Sequence, residues 1–138
     1  MRRQLVPGTV IKLARPMGDG NIREKRYIIL HVDQNQMTAC VINSHINQFI
    51  KKNPKLARCQ VTMNAETHDF MDHMSHVDCS RTWVYSTDSV VDELERRTDW
   101  VLGAITKALR DELIAAFKFA PTLSSAAVNM ITEALRDT

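Results

Sequence analysis

The hydrophobic pattern of this chain changes period once, near Ser86-Thr87-Asp88, and that change limits the fold more than any single residue does. From Val6 to Tyr85 the apolar residues come in short β-type runs separated by turn or charged segments; from Ser86 onward they recur at helical spacing. The chain therefore reads as α+β and mainly β, a small barrel over about 6–85 followed by a helical part over about 86–138. With 138 residues it is one domain, long enough to bury a core without a disulfide or a structural metal.

Five β runs are expected. Thr9 to Ala14 follows a Pro-Gly turn and stops before Pro16. Met17 to Asn21 is then a flexible loop. Tyr27 to Val32 is a continuous apolar run, which predicts a strand covered on both faces. Asp33 to Gln36 turns the chain, and Thr38 to Ser44 returns to complete a hairpin. Lys51 to Lys55 is a basic connection, Arg58 to Met63 alternates as a strand with one wet face, and His76 to Tyr85 supplies the last β run.

In the helical part, Ser89 and Asp92 form a weak capping box for a helix from Val90 to Arg97. A longer helix is expected over Trp100 to Phe117, where Leu102, Ile105, Leu109, Leu113 and Phe117 make one stripe. Pro121 ends it. Thr122 or Ser124 caps a second helix through Val128, Ile131 and Leu135, giving a helical hairpin.

Charge and cysteine usage exclude several classes. Eighteen Lys+Arg stand against 16 Asp+Glu, a net charge of +2, so nucleic-acid binding has to come from local clustering of cations. Pro7 and Gly8 break the first apolar run before an export signal forms, and no segment reaches the ~20 apolar residues of a membrane span. Cys40, Cys59 and Cys79 are odd in number and widely spaced, the usage of reduced thiols in a cytoplasm.

Arg26 immediately before Tyr27-Ile28-Ile29-Leu30, Ser44 at the end of Thr38 to Ser44, and the opening Pro7-Gly8-Thr9-Val10-Ile11 resemble the MazF/PemK family of toxin endoribonucleases. The resemblance covers roughly residues 6–117. The family's loop usually carries Ser-Glu-Gln and its arginine is usually followed by proline; here Met17 to Lys25 and Tyr27 occupy those places. The stretch His68 to Asp78 looks more like divergent PemK-like barrels than the standard toxins. The resemblance implies an SH3-like barrel that dimerises, pairs with an antitoxin protein and cleaves single-stranded RNA without metal or other cofactor.

For that chemistry Arg26 is the candidate phosphate donor, with Ser44 adding a neutral hydrogen bond. If Arg23 to Arg26 is extended, Glu24 and Arg26 share a face, which makes Glu24 a candidate base; the alternative is a solvated edge with the two paired. His45 is a second acid/base candidate or a surface histidine. Lys51, Lys52, Lys55 and Arg58, with Phe49, form a candidate RNA-binding patch or a solvated connection. His68, His73, His76 and Cys79 have the residue types of a zinc set but no standard spacing. Here a polar loop is expected, anchored by Phe70 and Met74, with histidines capping backbone groups and no metal bound. The rival to the nuclease is a non-catalytic SH3-like barrel that acts as a protein- or nucleic-acid-binding module.

Overall fold

The computed structural model describes residues 1–16 and 18–138; Met17, expected in the first loop, lies outside the described residues. After a short turn at Arg2–Gln4, β1 (Thr9–Pro16), β2 (Ile22–Val32) and β3 (Gln36–Asn43) form an antiparallel meander. Two short helices follow, α1 (Gln48–Lys52) and α2 (Pro54–Ala57), then β4 (Gln60–Met63), β5 (Ser75–Asp78) and β6 (Trp83–Ser86). The chain closes with α3 (Thr87–Arg96), β7 (Val101–Ala104), α4 (Lys107–Lys118) and α5 (Ser125–Arg136). The fold is α+β. Its sheet is a curled antiparallel half-barrel in the order β4-β5-β3-β2-β1-β7, with β6 pairing the start of β3.

Strand alternation explains where the core sits. Val10, Ile28, Cys40 and Ile42 point to one face and join Leu109, Leu113, Phe117, Ile131 and Leu135 from α4 and α5. Ile11, Tyr27, Ile29 and Val41 point to the other face and meet Val90, Val91 and Leu94 of α3 together with Trp100. The continuous apolar run of β2 is thus covered on both sides, as its pattern predicts. Gly8 enables the entry into β1: at φ +93, a conformation L side chains rarely adopt, it donates to Ile29 O and accepts from Ile105 N. Cys40, Cys59 and Cys79 are free and buried, and burial pushes their thiols up from the ordinary range.

Several expected boundaries are corrected. The segment Trp100 to Phe117 is not one helix, because Val101–Ala104 pairs with β1 before α4 begins. The spacing of Leu102 and Ile105 imitates a helix, but the open edge of β1 takes up the backbone donors, and Gly103 is a poor helix former. The β/helical division near residue 86 is correspondingly not clean. The run His76 to Tyr85 is broken by a turn, since Asp78 Oδ1 accepts the Ser80 N–H and draws the chain away from the ladder. Lys51 to Lys55 is no plain connection: Asn47 and Asn53 cap α1 and α2, with Pro54 at the first position of α2. Ser86 rather than Ser89 caps α3, accepting from Ser89 N. β2 starts at Ile22, so the charged stretch before Tyr27 is strand.

Candidate functional site

The early start of β2 builds the site. Lys12 on β1, Arg26 on β2 and Ile42 on β3 are direct cross-strand partners, so all three share a face; Glu24 lies two residues before Arg26 on that same face. Ser44, just past β3, continues the line from Ile42. Where the apolar residues of this face end, a cleft of about 410 Å³ opens, lined by Lys12, Arg23, Glu24, Lys25, Arg26 and Ser44 among others. Four cations thus surround one carboxylate. Burial first, and then the neighbouring Arg23, push Lys25 below the usual lysine range.

Arg26 is under-used as a donor. Its closest carboxylate is Asp72, with Nη1 to Oδ1 at 3.7 Å, beyond a hydrogen bond. Its Nε–H is buried and has no acceptor among the described residues. The sequence alternative of a Glu24–Arg26 pair is therefore not what forms; Asp72 is the partner.

Asp72 belongs to the loop between β4 and β5, which brings a second histidine to the cleft. His73 Nδ1 lies 3.0 Å from Asp72 Oδ1, and His73 Nε2 lies 3.0 Å from Ser44 Oγ. A chain of polar contacts thus runs from Arg26 through Asp72 and His73 to Ser44. The backbone N–H of Asp72, then Arg26 and His73, hold the Asp72 carboxyl below its ordinary range. His73, in the segment expected to be a polar loop whose histidines cap backbone groups, is the histidine that reaches Ser44. The expected acid/base candidate, His45, is exposed and does not line the cleft; the chain bends at Ser44 and His45, past the end of β3. An adjacent Asp-His pair between the buried Met71 and Ser75 was the available signal, yet nothing local ties it to Ser44, 29 residues earlier.

Two contacts position this loop. His68 is 2% exposed: its Nδ1 lies 3.1 Å from Asn64 O, and its Nε2 accepts from Thr106 N at the start of α4. Phe70 stands edge-on to His68 and lies so close to Gly103 that a Cβ there would fall 2.7 Å from its ring. Gly103→Ala is therefore expected to cost about 1–3 kcal/mol by overpacking, because the Phe70 ring has to give way. Urea denaturation checks this, and an unchanged midpoint would show that Phe70 moves freely. Met74 does not anchor the loop as expected; it is 57% exposed, and buried Met71 takes that role.

His68, His73, His76 and Cys79 are not drawn together: two are buried at separate contacts, one touches Ser44 and one sits in β5. No three such groups converge for a metal among the described residues. The expected basic patch is divided. Phe49 borders a groove of about 520 Å³ with Arg81, whereas Lys55 and Arg58 line a separate cavity of about 220 Å³ beside Phe119. Lys51 and Lys52 are exposed on α1 and line neither. Among the described residues no helix is long and apolar enough to cross a membrane. Compared with protein-family models and with curated proteins, the chain matches none, so its reading rests on the residues themselves.

Proposed function

We propose that the protein is an endoribonuclease that cleaves single-stranded RNA by attack of a 2′-hydroxyl on the adjacent phosphate. The observation that carries this reading is Arg26: a half-buried guanidinium with an unpaired Nε–H, in a cleft of four cations, beside a hydroxyl and two acid/base groups. Such a site has a donor left over for an anion. A phosphodiester supplies two non-bridging oxygens for the guanidinium fork.

Each step falls to a named group. Arg26 and Lys12 hold the phosphate and stabilise the charge that builds on it, with Ser44 donating a neutral hydrogen bond. Glu24, a carboxylate on the same strand face as Arg26, takes the 2′-hydroxyl proton. In its protonated form His73 donates from Nδ1 to Asp72 and from Nε2 toward Ser44, so it is placed to return a proton to the leaving 5′-oxygen. The products are a 2′,3′-cyclic phosphate and a 5′-hydroxyl.

The likeness to MazF/PemK toxins supports the same reading and extends it to an SH3-like barrel that acts in a cytoplasm as a homodimer held in check by an antitoxin. The test is incubation with long unstructured RNAs of varied sequence in excess chelator. Discrete fragments are expected; intact RNA throughout would replace the nuclease by a binding module on the same sheet.

A further inference from the structure

The groove beside Phe49 is larger than the cationic cleft and has a different chemistry. Phe49 stands at its rim 72% exposed, an aromatic face left in water on the second residue of α1. Arg81 also lines the groove, its guanidinium stacked 4.1 Å over the Trp83 ring and so held in place. Asp78 also lines the groove and is only 7% exposed. Its carboxylate accepts from Gln60 Nε2 and from the N–H and hydroxyl of Ser80, and all three bonds fall on Oδ1. Oδ2 accepts none from the described residues. Oδ2 is not sealed from solvent, so it is open to an N–H donor that enters the groove.

We infer that this groove is a nucleobase subsite, in which a base stacks on Phe49 and gives an N–H to Asp78 Oδ2 while its phosphate meets Arg81. The inference rests on the nucleic-acid reading of the cleft. The two sites are connected by the chain itself: Ser44 lines the cleft and Asn47 lines the groove, so at most about 11 Å of backbone separates them. By register Val77, and not Asp78, shares the sheet face of Arg26, so a strand held at Arg26 reaches the groove by passing round the edge at Ser44 to Asn47. The carboxylate also selects among bases. Guanine presents two adjacent N–H donors, whereas the one N–H of uracil lies between two carbonyls that would face the carboxylate.

The test uses 2′-O-methyl RNA octamers, which cannot be cleaved because the attacking hydroxyl is blocked, with affinity read by fluorescence anisotropy. An octamer with one central guanine in uridines is expected to bind about tenfold more tightly than all-uridine, and Phe49→Ala to weaken it by about tenfold and remove the preference. Phe49 is exposed, so this variant keeps the fold; Asp78→Asn should remove the preference alone. Equal affinity for the two octamers, or wild-type affinity in Phe49→Ala, overturns the subsite, as does failure of the wild type to bind either octamer. Cleavage of RNA by a protein that fails this test leaves the nuclease standing without the groove. Guanine-dependent binding by a protein that cuts nothing establishes the groove and removes the nuclease.

Discussion

Arg26→Ala is expected to lower RNA cleavage by about two to three orders of magnitude in a protein that stays folded, as the loss of one charged transition-state donor does. The arginine belongs to β2, but what its side chain gives to folding is small: one ion pair at 3.7 Å to an exposed carboxylate, and an Nε–H without a partner. Its removal also relieves repulsion from the other cations of the cleft. Circular dichroism and the thermal midpoint should therefore match the wild type. Ser44→Ala should cost less, because it deletes a neutral hydrogen bond and leaves the charge of Arg26 in place. Full activity in Arg26→Ala would remove this residue from the mechanism.

The second large effect concerns the two proton carriers. Glu24→Gln and His73→Asn should each lower the rate by about two orders of magnitude or more, the usual contribution of a positioned acid or base. The two roles are separated by a substrate with a bridging 5′-sulfur, whose leaving group departs without a proton: it should restore the rate of His73→Asn and not that of Glu24→Gln, which a structural role would not produce. Rescue of Glu24→Gln instead would exchange the two roles, and rescue of neither variant would remove His73 as the acid.

Much of this site could be read before the fold was seen, for a reason that lies in strand geometry. Arg26 and Glu24 are two residues apart, and a period of two places them together wherever the strand goes. Ser44 follows by the same alternation from Ile42, the cross-strand partner of Arg26. The double-faced burial of β2 was equally legible, since Tyr27 to Leu30 has no polar residue to turn outward. What could not be read depends on contacts distant in sequence. β7 exists because the edge of β1 needs a partner, and its four residues carry no pattern that separates them from the helix that follows. His73 reaches Ser44 only because His68 ties its loop to the start of α4 and Phe70 packs against Gly103. The residue types of His68, His73, His76 and Cys79 suggest a metal set, but nothing in the sequence shows that this loop carries His73 to Ser44.

The most direct measurement is the chemistry of the ends left on a cut RNA. Wild-type protein, incubated with an unstructured RNA in excess chelator, should leave fragments bearing a 2′,3′-cyclic phosphate and a 5′-hydroxyl, resolved by mass spectrometry. A substrate with a 2′-O-methyl group at the cut position should stay intact there. Fragments ending in 3′-hydroxyl and 5′-phosphate would mean that water rather than the 2′-hydroxyl attacks, which contradicts the roles given to Glu24, Arg26 and His73.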